Sequence, residues 1–110
     1  MRMYLDDLRT PIDEFDVIVR SYENAIVYIK RYGVPNFISF DHDLGIETDK
    51  ITLKKSGYDL AKWIVFNDIN NNFRLPKNFT FKVHSQNPLG KRKIENLLNS
   101  YLKLKHHKQT

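Results

Sequence analysis

Acidic residues follow two apolar segments of the chain, and they are the side chains best suited to chemistry. The segments are Met3-Tyr4-Leu5 and Phe37-Ile38-Ser39-Phe40. Asp6 and Asp7 come directly after the first segment, and Asp41 and Asp43 come after the second. Carboxylates that meet at one edge of a sheet repel one another and lose hydration, so a cation or raised pKa values normally compensate them. The pattern predicts a metal site with these four carboxylates as ligands.

The chemistry of the donor atoms indicates which metal this site would take. Carboxylate oxygens are hard ligands that suit Mg²⁺ or Mn²⁺, whereas Zn²⁺ sites usually contain more His or Cys. The chain contains no cysteine. For Asp7 and Asp43 a structural alternative is open, since an acidic residue after a strand can also cap a turn or pair with Arg9.

A third apolar segment, residues 79–83, ends in a histidine and a serine that could share the same edge. His84 is a candidate for proton transfer because the ordinary pKa of histidine, about 6.5, lies close to working pH. A structural hydrogen bond to a neighbouring strand or carboxylate is the alternative for this side chain. Ser85 adds a hydroxyl group. We therefore predict Asp41, His84 and Ser85 as catalytic residues.

Phosphate binding is predicted where the last helix begins and at two arginines. Ser85 and Asn87 precede Pro88, and the first backbone N–H groups of a helix are unpaired and lie at the positive end of its dipole. Asn87 would serve as the helix cap in any case. Arg9 and Arg20 could each bind a phosphate bidentately, or could neutralise the carboxylates instead.

Strands and helices alternate along the chain. Apolar periodicity and caps predict strands at residues 3–5, 17–19, 37–40 and 79–85, and helices at 22–32, at 57–69 and from 88 onward. This alternation predicts an α/β fold with three layers around a short, mostly parallel sheet of four strands. In the flavodoxin-like order, 2-1-3-4, ligands bind at the carboxyl ends of the first and third strands. The acidic residues follow these two strands.

Two features refine this architecture. Residues 8–16 separate the first two strands, and this is a shorter connection than a helical crossover usually needs. We therefore expect a reduced first crossover helix and a thinly covered face of the sheet. The last strand alternates apolar residues with Thr80 and Lys82, which predicts a position at the sheet edge.

Length and charge limit the class of protein. The 110 residues, with a net charge of +5, are predicted to form one domain, 1–110, with a frayed basic tail from about 104 to 110. The basic residues could attract nucleotides or RNA ends, or could simply be solvated helix faces. No apolar run approaches the roughly 20 residues of a membrane span. We expect a cytoplasmic protein without a membrane partner, whose oligomeric state the composition leaves open.

Several motifs resemble a known family. They are Tyr4-Leu5-Asp6-Asp7-Leu8-Arg9-Thr10-Pro11, Arg20, Ile38-Ser39-Phe40-Asp41-His42-Asp43-Leu44-Gly45, Gly57-Tyr58-Asp59 and Val83-His84-Ser85-Gln86-Asn87-Pro88. In this order and spacing the chain is similar to the cyclic-phosphate processing receiver-like domains, which are divergent relatives of the response-regulator receiver fold. The resemblance covers nearly the whole chain. It implies a metal-dependent role on cyclic phosphates, either of cyclic nucleotides or of RNA ends.

The wider receiver pattern implies roles for individual residues. Asp6 and Asp7 match the acidic pair that holds a divalent cation. Asp41 matches the carboxylate that accepts a phosphoryl group, and Ser85 matches the hydroxyl that contacts this group. These roles come from the resemblance, and they coincide with the candidates that the strand ends supply.

The chain also departs from the receiver pattern. The fifth strand and its phosphate-contacting lysine are missing, Asp43 and His42 stand beside the phosphoacceptor position, and His84 precedes the hydroxyl. These departures favour a metal-dependent phosphoesterase of cyclic phosphates over a phosphorelay receiver. Two alternatives are a non-catalytic receiver-like module that senses a ligand or phosphate, and a subunit that binds RNA ends.

Overall fold

The fold is a parallel four-stranded sheet with three helices, seen in a computed structural model that describes residues 1–44 and 55–108. The elements are β1 (Arg2–Leu5), β2 (Val17–Val19), α1 (Tyr22–Tyr32), β3 (Phe37–Phe40), α2 (Gly57–Ile69), β4 (Thr80–Val83) and α3 (Pro88–Lys108). The strands lie in the order β2-β1-β3-β4, and all neighbours are parallel. The predicted α/β receiver-like architecture and the 2-1-3-4 order are thus confirmed.

One face of the sheet forms the hydrophobic core. Side chains alternate between the faces of a strand, and the alternate positions Met3, Leu5, Ile38, Phe40 and Val83 are all buried on this side. They form one cluster with the buried residues of all three helices, and α2 packs against both α1 and α3. The three helices therefore lie on the same face.

Local capping signals account for the helix starts. The Ser21 side chain accepts from the Asn24 backbone N–H at the start of α1. Ser56 and Asp59 form a reciprocal capping box at the start of α2, which satisfies two N–H groups that would otherwise be unpaired. The Asn87 side chain accepts from the Gly90 N–H at 3.0 Å. These caps set where each helix begins relative to the strand end before it.

The opposite face of the sheet carries no helix in the part of the chain that the structure describes. The connection 6–16 crosses it without helical structure, as the short spacing predicts. Phe15 packs there against Tyr4 and Phe37, with ring centroids 5.1 and 6.1 Å apart. The guanidinium of Arg2 lies 4.6 Å from the centroid of the Phe15 ring. This third layer is therefore a thin, aromatic covering.

Two predicted boundaries differ from the structure. The last strand covers residues 80–83, whereas the sequence predicts 79–85. Its start differs because the Phe79 backbone N–H donates to the Pro76 carbonyl in the preceding turn. Helix α3 continues to Lys108, although the composition predicts a frayed tail from about 104. Lys105 explains part of this difference, since its Nζ bonds the Asp68 carboxylate at 2.8 Å.

Some expectations concern residues beyond this description. The polar loop predicted after Leu44 and the motif position Gly45 lie outside the described residues. The last two residues of the predicted basic tail also lie outside them. None of the described helices has the length and apolar character needed to cross a membrane.

Candidate active site at the carboxyl edge of the sheet

Three strand ends bring two carboxylates and an imidazole together. Asp6 follows β1, Asp41 follows β3 and His84 follows β4, and one ligand atom of each lies within 4.8 Å of the others. Ladder hydrogen bonds fix this arrangement, since Asp41 N–H donates to the Leu5 carbonyl and His84 N–H to the Phe40 carbonyl, both at 2.9 Å. The parallel direction of the strands thus puts distant parts of the sequence at one edge.

Asp6 is a buried carboxylate that the surrounding chain fully satisfies. Its Oδ1 accepts the backbone N–H groups of Leu8 and Arg9, both at 2.9 Å. Its Oδ2 accepts from the Arg9 Nε at 2.9 Å and from the His84 Nε2 at 3.0 Å. Burial alone would raise the pKa of Asp6, but these hydrogen bonds outweigh it and lower the pKa below its ordinary value. Asp6 is therefore a fixed anion.

Arg9 is the cation that lies between the two carboxylates. Its Nη2 lies 3.6 Å from the Asp41 Oδ1, and its side chain is 42% exposed, so it is accessible to a ligand. Arg20 Nη1 donates to the backbone carbonyls of Asp6 at 3.2 Å and Arg9 at 2.6 Å. Arg20 thus stabilises the backbone turn that contains Arg9.

Asp41 is buried in a less favourable environment. Its Oδ1 accepts the His42 N–H at 2.9 Å, and its Oδ2 has no hydrogen-bond partner within residues 1–44 and 55–108. Burial, together with the negative charge of Asp6, raises the pKa of Asp41 despite the nearby Arg9. The two neighbouring carboxylates therefore have pKa values displaced in opposite directions.

His84 is held on three sides. Its Nδ1 lies 2.7 Å from the Ser39 Oγ, and its ring stacks on Tyr4 with centroids 4.4 Å apart and planes 4° from parallel. Because the Asp6 carboxylate can only accept, we assign the proton of neutral His84 to Nε2, so that Nδ1 accepts from Ser39. Burial lowers the pKa of His84 although Asp6 opposes this effect.

Ser39 and Tyr4 are two supporting residues that the strand-end reasoning did not select. A signal for Ser39 exists, since it is the polar residue in the apolar strand 37–40 and shares the period-two face of Asp41. Tyr4 has no such signal, because aromatic residues are common in strands. Its stacking on His84 depends on the tertiary structure.

Comparison with known families shows which family the chain belongs to. A model for the cyclic-phosphate processing receiver domain matches residues 1–100. The chain belongs to this family. No curated protein and no solved structure matches it. The family associates this receiver domain with cyclic-phosphate processing.

The remaining candidate residues of the receiver domain divide into two groups. Asp7, Asp43 and Ser85 line a shallow pocket of about 290 Å³ together with Asp6, Asp41 and Arg9. Asp43 also bonds His42 Nδ1 at 2.9 Å and the Asn87 side chain at 3.3 Å. Asn87 and Arg20 are not among the described residues that line this pocket. Asn87 caps α3, and Arg20 donates to the backbone carbonyls of Asp6 and Arg9.

Close backbone packing positions the Asp41 segment of the receiver domain. A Cβ atom added to Gly57 would lie 1.8 Å from the Asp41 carbonyl oxygen, so only glycine fits there. The Gly57 N–H donates to the His42 carbonyl at 2.8 Å. A Cβ at Gly90 would lie 2.2 Å from the His42 ring. The starts of α2 and α3 therefore press against the segment that carries Asp41.

The donor set of this receiver domain fits a hard divalent cation. Asp6, Asp41 and His84 offer ligand atoms close enough to share an ion, and Asp7 lines the same pocket. Carboxylate oxygens are the ligands that Mg²⁺ and Mn²⁺ prefer. Asp41 has an oxygen free of hydrogen bonds to the described residues, whereas Asp6 would have to release Arg9 or His84 to ligate through Oδ2.

Proposed function

We propose that this receiver domain is a metal-dependent phosphoesterase that opens cyclic phosphates of nucleotides or RNA ends. The observation that carries the proposal is the convergence of Asp6, Asp41 and His84 at one edge of the sheet, where one ligand atom of each lies within 4.8 Å of the others. The pKa of Asp6 is lowered and the pKa of Asp41 is raised. Pairs of titratable groups whose environments displace their pKa values in opposite directions are typical of acid–base sites.

Phosphate recognition is assigned to Arg9 and Ser85. The Arg9 Nη1 has no hydrogen-bond partner among the described residues, so it can donate to a phosphoryl oxygen while Nε stays on Asp6. The Ser85 Oγ accepts from the Asn87 N–H at 3.1 Å, which leaves its own O–H available as a donor. Charge-assisted hydrogen bonds from arginine to phosphate are strong and directional.

Mg²⁺ or Mn²⁺ would be held by Asp41 and Asp6 with support from Asp7 and Asp43, and would supply Lewis-acid polarisation of a phosphoryl oxygen and acidification of water. The chain limits how this can happen. Asp41 can ligate through Oδ2 without losing a contact to any described residue. Asp6 supports the site chiefly by holding Arg9 and His84 in place.

The proton transfers are assigned to the groups with displaced pKa values. Opening the ring breaks one P–O bond of the phosphodiester and forms another to water, and the proton of the water ends on the leaving oxygen. Asp41 can take this proton as a general base. In the alternative route the Asp41 carboxylate attacks phosphorus, an O–P bond to Asp41 forms as the bond to the leaving oxygen breaks, and a neighbouring acid protonates that oxygen; water then cleaves the new bond, regenerates the carboxylate and returns the proton to the acid. His84 can protonate the leaving oxygen only after it exchanges its bond to Asp6 or Ser39.

A substrate screen and one substitution test the proposal. The wild-type protein should hydrolyse at least one of 2′,3′-cyclic nucleotides, 3′,5′-cyclic nucleotides and RNA with a terminal cyclic phosphate, in Mg²⁺ or Mn²⁺ but not in EDTA. Asp41→Asn should abolish turnover and weaken Mn²⁺ binding measured by calorimetry. Glu23→Gln, an exposed charge change in α1, is the matched control and should leave both unchanged. Turnover retained by Asp41→Asn would rule out the assignment.

A non-catalytic sensing module is the second candidate function. The observation in its favour is that both ring nitrogens of His84 already have partners, Ser39 and Asp6. A site that binds phosphate needs no proton carrier. Absence of product with every cyclic phosphate in the screen would favour this module. Incubation with acetyl phosphate and Mg²⁺ followed by intact mass spectrometry then shows whether the module is a phosphoacceptor, because only a phosphoacceptor should retain an added phosphoryl group.

A further inference from the structure

The thinly covered face of the sheet contains a groove that leads to the active site. The groove has a volume of about 390 Å³, which lies in the range of ordinary ligand pockets, about 300–1,000 Å³. Its floor includes Tyr4, Phe37 and Ser39 from β1 and β3, and Phe15 and Pro11 of the connection 6–16 form a wall. The missing first crossover helix leaves this surface open.

Positive charge dominates the groove. Arg2, Arg9 and Lys82 line it, against the single carboxylate of Asp13 among the described lining residues. An anionic occupant is therefore favoured over a cationic or purely apolar one.

The groove and the acidic pocket lie next to each other. Arg9 lines both of them, and His84 joins the groove floor to Asp6 through a hydrogen bond of 3.0 Å. From Asp6 to Arg2 the strand β1 spans four residues, or about 13 Å at the usual rise of a strand. A ligand longer than a single phosphate can thus lie in the groove with one end at Asp41.

We propose that the groove binds the terminal nucleotides of an RNA strand whose 2′,3′-cyclic phosphate lies at Asp41. This inference rests on the proposed function and assigns the RNA-end substrate to the active site. Aromatic walls beside cationic side chains are the combination that binds single-stranded nucleic acid, because bases stack on rings and phosphates pair with Lys or Arg. An acidic peptide would use the cations but would gain nothing from the rings.

Lys82 provides the first test. It is exposed on the edge strand β4, so Lys82→Gln should fold normally. Fluorescence anisotropy with a labelled oligouridylate RNA that ends in a 3′-phosphate, which cannot be turned over, should show weaker binding by this variant. The slope of log K against log salt should become shallower by about 0.7, the value for one lost phosphate contact on a single strand. Lys30→Gln, an exposed charge change on α1, should leave binding unchanged.

Phe15 provides the second test. Phe15→Leu keeps an apolar side chain but removes the ring, and it should weaken binding of the same RNA about fivefold or more, as expected for loss of one stacking contact. Lys30→Gln, which lies outside both the groove and the acidic pocket, should leave hydrolysis of a free cyclic mononucleotide unchanged.

The outcomes separate this inference from the proposed function. RNA binding that depends on Lys82 and Phe15, without turnover of any cyclic phosphate, would support RNA binding in the groove and contradict the proposed phosphoesterase activity. Turnover of small cyclic phosphates by a protein that binds no RNA would overturn the groove and leave the phosphoesterase intact. Polyglutamate that binds as tightly as the RNA, with no effect of Phe15→Leu, would also overturn it by pointing to an acidic protein partner.

Discussion

Two buried aspartates at opposite ends of helix α2 have similar exposure and different surroundings. Asp41 packs against Gly57, the first residue of the helix. Asp68 lies near the other end, eleven residues after Gly57, which is about 16 Å along the helix axis. Asp68 accepts from the Tyr101 hydroxyl, the Lys105 ammonium and the Leu75 N–H. Hydrogen bonds from Lys105 and Tyr101 outweigh burial and lower the pKa of Asp68.

The difference shows what a structural carboxylate looks like in this protein. Asp68 has three donors, one of them a cation, and no carboxylate in contact with it among the described residues. Asp41 has one close donor, a cation at 3.6 Å and the anion Asp6 as a neighbour. Burying an ion without matching donors costs free energy. The unfavourable environment of Asp41 therefore supports the proposal that it acts in the site, whereas the contacts of Asp68 are those of a structural carboxylate.

The largest expected effect is that of Asp41→Asn on activity. Removing the carboxylate removes the nucleophile or general base, so turnover should fall at least about 100-fold. The measurement is hydrolysis of the best cyclic phosphate from the substrate screen. A variant that keeps more than a tenth of wild-type turnover would contradict the contrast between the two aspartates.

The same variant should be more stable than the wild type at pH 7. The pKa of Asp41 is raised in the folded state, so its ionisation lowers the stability of the fold as the pH rises from about 3.8, and this loss is complete once the pH exceeds the folded pKa. The amide that replaces the carboxylate never ionises, and the advantage of the variant should vanish below about pH 3.8, where the aspartate is protonated in both states. Urea unfolding at several pH values measures this effect, and a variant less stable than the wild type at pH 7 would contradict it.

Asp68→Asn should change the free energy of unfolding in the opposite direction. It weakens a buried ion pair and a hydrogen bond to Tyr101, so the free energy of unfolding should fall by about 2 kcal/mol at pH 7. Because the pKa of Asp68 is lowered on folding, this loss should shrink as the pH falls below about 3.8. Turnover at a temperature where the variant is folded should match that of the wild type. A large loss of turnover would contradict the interpretation of Asp68 as a structural carboxylate.

Substitutions at two glycines test how closely the Asp41 segment is held by the starts of α2 and α3. Gly57→Ala places a methyl group against the backbone carbonyl of Asp41, which cannot move independently, and should cost about 1–3 kcal/mol of stability together with activity. Gly90→Ala meets the side chain of His42, which can rotate, and should cost less. Thermal unfolding and turnover of both variants test this order. Equal effects would show that the Asp41 backbone is not held by this contact.

The smallest expected effect is the pH dependence due to His84. Its pKa is lowered on folding, so the stability it contributes is present above its ordinary pKa of 6.5 and is lost as the pH falls through the folded value. Asp6, Asp41 and Arg9 are the charged groups that face it. His84→Gln should flatten the decline of stability below pH 6.5, whereas the exposed control His106→Gln should not.

Much of the fold follows from local patterns. The apolar strand 37–40 and the capped helix 57–69 are recognisable because period and capping are properties of a few neighbouring residues. Right-handed crossovers then leave few ways to order four parallel strands. The exact ends of β4 and α3 were less predictable, since they depend on distant contacts such as Lys105 with Asp68.

For the site, the order of residues along the chain is enough to predict which groups converge. Asp6, Asp41 and His84 each follow a strand, and parallel strands deliver such residues to one edge whatever the details of packing. The protonation and bonding of these groups depend on the folded packing. It places Arg9 between the carboxylates, holds His84 between Ser39 and Asp6, and leaves an Asp41 oxygen without a partner among the described residues. Strand direction is a local and discrete property, whereas pKa values and hydrogen bonds depend on separations of a few ångströms between segments far apart in the chain.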